Sequence, residues 1–349
     1  MALRRSLCSV AMLESHYPIE GAPAGPRGRV TMRDMRFLAI ALIALGVAGL
    51  VAALVLPRAV ESPPSGGPGD PTATVPDEPP CPGGRPPVPR ADRVDEDRAF
   101  KLLARQVKLG PRPAGSEASR RLGEQLRRLL PNGRFEAVPD SGSRPGPLRN
   151  VVGAVQGRDP VRLVVVGAHY DTKDAPGFVG ANDGAGGTAA VVELARSIRP
   201  RQLGPTVVFV LFDGEESPAG TPSDQFRRRG LSGSRDAARE YPGAAAMVLL
   251  DFVADRDLSI PREANSTPAV WQELRAAASR VGVGCAFPAV SRSAISDDHV
   301  PFLETGVPAI DLIDFDFDCF HQPCDDLNAV SKRSLDASAE ATYELLARL

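Results

Sequence analysis

The stretch from Leu163 to Arg196 constrains this chain more than any other. Its opening run, Leu163-Val164-Val165-Val166, is short, branched and uninterrupted, as a strand buried on both faces requires. His169 and Asp171 follow at the C-terminal end, the side on which open α/β sheets present their ligand-binding groups. Then comes Gly180-Ala181-Asn182-Asp183-Gly184-Ala185-Gly186-Gly187, whose glycines let the backbone pass close to a neighbour. Residues 189–198 have the period of a helix, with Asp183 in the turn that leads into it. An imidazole and two carboxylates gathered around one strand end suggest a metal site.

The chain has 349 residues and a net charge of −2, with no basic face, which argues against a nucleic-acid partner. Residues 1–36 lack a hydrophobic period and carry Arg4, Arg5, Arg27, Arg29, Arg33 and Arg36. Residues 37–56 are continuously apolar, and ~20 such residues can span a bilayer. The arginines before this run put the N-terminus in the cytoplasm, predicting a single-pass anchor in the cell membrane and an extracytoplasmic remainder. A cleaved signal peptide is the rival reading. No convincing small-x-small site precedes Pro57, however, and the run is long for a signal peptide. Met32 and Met35 are alternative starts. Residues 57–93 are rich in Pro, Gly, Ser and Asp and are expected to be a disordered tether. The folded domain is expected over 94–349.

Within that domain the pattern predicts helices starting near Asp95 and over 116–130, 268–281 and 332–349. Short helices are expected through 233–235 and before Leu303. Strands are expected over 134–138, 150–155, 206–212, 246–252 and 307–313. Strands alternating with helices give the fold class: α/β, with a mainly parallel central sheet covered by helices on both faces.

The chemistry-bearing residues fall just past predicted strands: His169 and Asp171, Glu215 and Glu216, Asp251, and His321. One carboxylate in such a place is usually a helix cap or a solvated loop residue. Several at one edge of one sheet are hard to explain as caps. Of the four histidines, three lie in the folded domain, and two of those sit at these positions. Mixed imidazole and carboxylate ligands at an exported site suit zinc. The Gly-rich turn lacks the Lys-Ser/Thr that a phosphate loop would need. The five cysteines are too few for a disulfide scaffold. Cys319 and Cys324 flank His321 as thiolate ligands, as a disulfide stiffening the loop, or as partners of Cys285, while Cys81 in the tether is expected to be free.

These motifs resemble the M28 zinc aminopeptidases and the related glutaminyl-peptide cyclotransferases, over about residues 100–349. The M28 pattern is a His-x-Asp, a Gly-Ala-x-Asp, a Glu-Glu, a later single Asp and a late His. Several pieces are closer to the cyclotransferase branch: His169-Tyr-Asp-Thr-Lys173, Phe178-Val-Gly-Ala181, the Asp-Gly before the Glu pair, the polar insertion up to Leu231-Ser-Gly-Ser-Arg235, and Asp297-Asp-His-Val-Pro-Phe302. The resemblance implies an M28 aminopeptidase or glutaminyl cyclase-like fold acting on peptide or protein N-termini. It implies one zinc held by Asp183, Glu216 and His321, with Glu215 as the proton-shuttling catalytic carboxylate. Asp251 and Asp297 would form a catalytic acidic network, Asp171 would orient His169, and Phe320, Asp298 and His299 would border the substrate pocket. Pyroglutamate formation with ammonia release is the first expectation. The aminopeptidase alternative places a second zinc on His169 and Asp251, with Asp183 bridging. An inactive peptide-binding domain is a minor third reading. The chain departs from animal cyclotransferases at two tryptophans: Ser217-Pro218-Ala219-Gly220 follows the Glu pair, Phe320 precedes His321, and the single Trp271 belongs to a predicted core helix.

Overall fold

The computed structural model describes residues 80–139 and 144–349. The expected cytoplasmic segment 1–36, the expected anchor 37–56 and most of the expected tether 57–93 lie outside the described residues. Among the described residues no helix is long and apolar enough to cross a membrane.

In chain order the strands are β1 (Arg134–Val138), β2 (Leu148–Val155), β3 (Asp159–His169), β4 (Pro205–Phe212), β5 (Ala246–Leu250), β6 (Arg262–Glu263), β7 (Ser291–Arg292) and β8 (Ala309–Leu312). The α-helices are α1 (Glu96–Lys108), α2 (Glu117–Leu129), α3 (Ala185–Ser197), α4 (Phe226–Arg229), α5 (Ser232–Glu240), α6 (Pro268–Arg280), α7 (Val300–Glu304) and α8 (Lys332–Leu346). Six strands form one sheet in the order β1-β2-β4-β3-β5-β8, while β6 and β7 make a separate two-stranded pair.

The sheet is mixed. Strands β4, β3, β5 and β8 run parallel, but β1–β2 and β2–β4 pair antiparallel. Three of the five pairings are parallel, so the sheet is mainly parallel as expected, and β2 alone runs against its neighbours. For β1 and β2 the physical reason is connection length: consecutive strands joined without a helical crossover pair antiparallel, whereas a parallel pair needs a crossover. Helices cover both faces. The larger core packs α1, α3, α6 and α8 against one face, and Trp271 of α6 is buried in it. The smaller core packs α5 and α7 on the other.

Strand β3 lies between β4 and β5, so the chain leaves it toward one side through α3 and later crosses to the other. Such a reversal opens a crevice at the carboxyl ends of the strands. Two glycines make the geometry possible there. Gly184 has φ +86°, a left-handed conformation, and a Cβ on it would stand 2.8 Å from the Asp171 carbonyl oxygen. Gly187 brings α3 so near β5 that a Cβ would meet the Leu250 carbonyl oxygen at 2.0 Å.

Residues 80–93 correct the expected tether boundary. Cys81 is bonded to Cys285, the Arg90 amide donates to the Val281 carbonyl at 2.7 Å, and Arg93 pairs with Glu340 and Glu344 of α8. A proline-rich segment need not bury a core of its own when a disulfide and a buried carboxylate hold it to one.

Candidate metal centre and active-site cleft

Strand register brings the first residues together. Gly167 pairs with Leu249 across β3 and β5, so two residues further His169 faces Asp251. His169 Nε2 lies 3.3 Å from Asp251 Oδ1 and 3.2 Å from Asp183 Oδ1. The other oxygen of Asp183 points to a second group: His321 Nε2 lies 3.4 Å from Asp183 Oδ2 and 3.0 Å from Glu216 Oε1. Two clusters able to hold a metal ion thus share Asp183, one made with His169 and Asp251 and the other with Glu216 and His321. Asp183 Oδ2, Glu216 Oε1 and His169 Nδ1 are buried and have no hydrogen-bond partner. Buried carboxylate oxygens left unpaired are costly, and a cation at their convergence relieves that cost. The donor set, carboxylate and imidazole only, fits zinc.

Protons stand in for the cation. Burial pushes the His169 imidazole down, but Asp251, Asp171 and Asp183 outweigh it and hold its pKa well above the usual range. His321 is raised in the same way by Glu216 and Asp183 against the effect of burial. A metal must displace these protons, so its affinity falls with falling pH.

Asp171 does something other than expected. Its Oδ1 lies 3.8 Å from His169 Nδ1, too far for a hydrogen bond. It accepts instead from the backbone amides of Gly214 at 3.1 Å, Glu215 at 3.3 Å and Glu216 at 3.2 Å. One carboxylate thereby fixes the turn that carries the glutamate pair, although its charge still bears on His169.

The paired glutamates diverge. Glu216 is pushed up by burial, but His321 and Lys173 bring its pKa below the ordinary value, and Lys173 Nζ sits 2.9 Å from its Oε2. Glu215 belongs to neither cation cluster. Burial first, then the neighbouring Glu216 charge, raise its pKa well above that of an exposed carboxylate. Such a group holds a proton more readily than an exposed carboxylate, as a proton shuttle must.

Asp251 also leads into a buried acidic chain. Burial and the Asp297 charge raise its pKa to about 8. Burial also pushes the Asp311 carboxyl of β8 well up, with the Asp297 and Asp251 charges adding to the shift. His299 extends the chain, with Nδ1 3.6 Å from Asp311 and Nε2 3.2 Å from Glu263. Asp311 and Glu263 escape a motif reading: one lies inside a short strand and the other on a two-residue strand, with nothing in their spacing to mark them.

Several of these groups line a cleft of about 510 Å³. Lys173, Asp183, Glu215, Glu216, Asp251, Asp297 and His321 line its polar floor. Phe226, Phe252, Phe315 and Phe320 supply aromatic surface. Phe320 stacks on His321 at 3.9 Å between ring centroids and packs 5.1 Å from Phe315. The wall left open by the missing tryptophans is thus built from phenylalanines. Asp298 and His299 do not line the cleft, contrary to expectation. Both are wholly buried at the turn into α7, behind Asp297. Motif adjacency put all three in the pocket, but successive side chains of a turn point different ways and only the first faces the opening.

The late histidine sits in a loop closed by the Cys319–Cys324 disulfide, so the thiolate-ligand reading and the Cys285 pairing for these two cysteines fall away. The Asp325 carboxylate, just past that loop, accepts from the Asn182 and Asp183 amides at 2.7 and 3.1 Å, locking the His321 loop to the Asp183 turn.

The comparisons with known proteins agree with this geometry. Residues 150–346 match the family model described as Peptidase family M28. The chain belongs to this family. It is 27% identical over 210 residues to the glutaminyl-peptide cyclotransferase of Drosophila melanogaster, covering 50% of this chain and 58% of that protein. Aminopeptidase YwaD of Bacillus subtilis is 28% identical over 193 residues, covering 52% of this chain and 41% of that protein. The chain therefore spans about half the length of these two curated relatives. Among solved structures it is similar to the glutaminyl cyclase of Porphyromonas gingivalis, with a TM-score of 0.66, 28% identity, and coverage of 73% of this chain and 99% of that one. M28 membership accounts for the position of the ligand-bearing loops, and both of its chemistries are represented among these relatives.

Proposed function

We propose that the chain is a zinc-dependent glutaminyl-peptide cyclotransferase, converting an N-terminal glutamine to pyroglutamate with loss of ammonia. The observation that carries this reading is Glu215, which borders the cleft beside the Asp183–Glu216–His321 cluster, outside the candidate ligands, and has a raised pKa. Asp183, Glu216 and His321 would hold the zinc, which would supply a Lewis acid for the glutamine side-chain carbonyl. Glu215 takes a proton from the attacking α-amine and returns it to the departing nitrogen. Asp251, which lines the cleft with Asp297, would orient the α-amine. The phenylalanines around His321 cover the reacting group and exclude water.

The second reading is a two-zinc aminopeptidase. It is favoured by one observation: Asp183 is shared by two ligand clusters, the arrangement that bridges two ions in hydrolytic centres. Metal titration decides between the readings. Full activity at one zinc per chain, with ammonia released from a Gln-initiated peptide, supports cyclisation. Activity that begins only at the second equivalent, with free amino acids as product, rules it out in favour of hydrolysis.

We also propose that residues 37–56 hold the enzyme in the cell membrane with the catalytic domain outside. The disulfides Cys81–Cys285 and Cys319–Cys324 support an oxidising compartment. Digestion of the domain by protease added to intact cells is the expected result, and full protection would refute it.

A further inference from the structure

Arg112 lies in the turn between α1 and α2, and nothing in the proposed chemistry uses it. Its side chain is wholly buried. Nη1 donates to the Val179 carbonyl at 2.5 Å and Nη2 to the Gly180 carbonyl at 2.9 Å. The guanidinium fork therefore closes on two successive carbonyls just ahead of Asp183. The backbone of Arg112 grips a second loop. Its amide donates to Thr172 Oγ1 at 2.9 Å, and the Thr172 amide donates to the Arg112 carbonyl at 3.3 Å. Thr172 directly follows Asp171 in the loop that leaves His169. One residue thus ties the end of β3 to the turn that presents Asp183.

We propose that Arg112 is a positioning residue for the metal centre, clamping the Asp183 turn to the His169 loop so that the ligand cage is assembled before the ion arrives. This rests on the metal-centre reading above. A buried arginine beside a cation site acts in two opposed ways. As a charge, it repels the incoming metal and weakens binding. As a clamp, it spares the metal the entropy of ordering the loops and strengthens binding. The bidentate grip on carbonyls, rather than on the ligand carboxylates, makes the clamp the dominant effect. Burial lowers the guanidinium pKa to about 10, with Asp183, Asp325 and Asp171 opposing that drop, so it remains charged at neutral pH. Lysine keeps the charge but, as a compact ammonium, does not reproduce a planar fork across two carbonyls.

The test measures zinc affinity of the full chain by competition with a chromogenic chelator, together with the absorption spectrum of the cobalt-substituted protein. Arg112→Lys and Arg112→Met should each bind zinc at least ~10-fold more weakly, the size of effect expected for groups that orient ligands, with an altered cobalt spectrum and no rescue by lysine. Arg93→Met serves as the comparison: Arg93 pairs with Glu340 and Glu344 on α8, so its loss should reduce stability without moving zinc affinity. Affinity within twofold of the parent in Arg112→Lys, or raised affinity in Arg112→Met, overturns the proposal. Should both Arg112 variants fail to fold, hydrogen exchange of the parent protein decides. Amides 180–184 should be protected before zinc is added, and exchange that slows only on zinc binding overturns the clamp. A parent chain that binds no zinc refutes the metal centre itself, which is a separate result.

Discussion

Glu215 and Glu216 are adjacent in sequence and opposite in electrostatics. Both are buried, and burial pushes both upward. Glu216 escapes because Lys173 and His321 contact it. Among the described residues no cation pairs with Glu215, which also feels the charge of Glu216 and so holds a proton more readily. Glu215→Gln should therefore retain zinc and fold while losing at least ~10²-fold in kcat, as expected for a positioned proton shuttle. Zinc content and steady-state rates on a Gln-initiated peptide check this, and an active variant would move the base assignment elsewhere. The residue types around this site were legible in the chain. The division of labour between the two glutamates was legible only through resemblance, because identical side chains acquire different pKa values from neighbours distant in sequence.

The segments that follow β5 and β8 show what a strand end contributes. Phe252 and His321 both adopt left-handed backbone conformations, with φ of 41° and 54°, although neither is glycine. Strain of this kind persists where surrounding structure overrides local preference, and here both residues line the cleft. Asp314, just past β8, is buried and accepts from the Ser259 amide at 2.7 Å. Burial raises its pKa to about 7, with Asp255 and Asp316 adding to the shift. Folding thus favours its protonated form. Its stabilising contribution is complete below about pH 4, the unfolded value, and is lost as pH rises through about 7. Asp314→Asn should remove that slope, leaving the variant more stable than the parent by ~1–3 kcal/mol at pH 8 relative to its standing at pH 4. Urea unfolding of the zinc-free proteins at both pH values measures it, and a constant difference between them would show that Asp314 titrates normally. The strand itself was legible as an apolar run. The burial of Asp314 was not, because an acidic residue after a strand reads as solvated until the packing around it is known.

At the scale of the molecule, the six-stranded sheet gathers its chemistry at the carboxyl ends of its parallel strands, and a covalent link holds the N-terminal segment to that frame. Cys81 and Cys285 are separated by 204 residues, so their bond removes much freedom from the unfolded chain. Replacing both with serine should cost ~2–5 kcal/mol by denaturant unfolding and leave zinc content unchanged. An unchanged midpoint would show that residues 80–93 contribute little to the fold. The sequence by itself determined the βα order, the buried strands, the glycine turn and the cluster of ligand types, because these depend on hydrophobic period and on residues adjacent in the chain. Only the tertiary structure decided that β2 runs antiparallel to both its neighbours, that Asp171 accepts from the amides of the glutamate turn, that Asp298 and His299 are buried away from the cleft, and that Cys81 is paired. Each of these depends on which distant segments meet and which way a side chain faces when they do, and hydrophobic period carries no record of either.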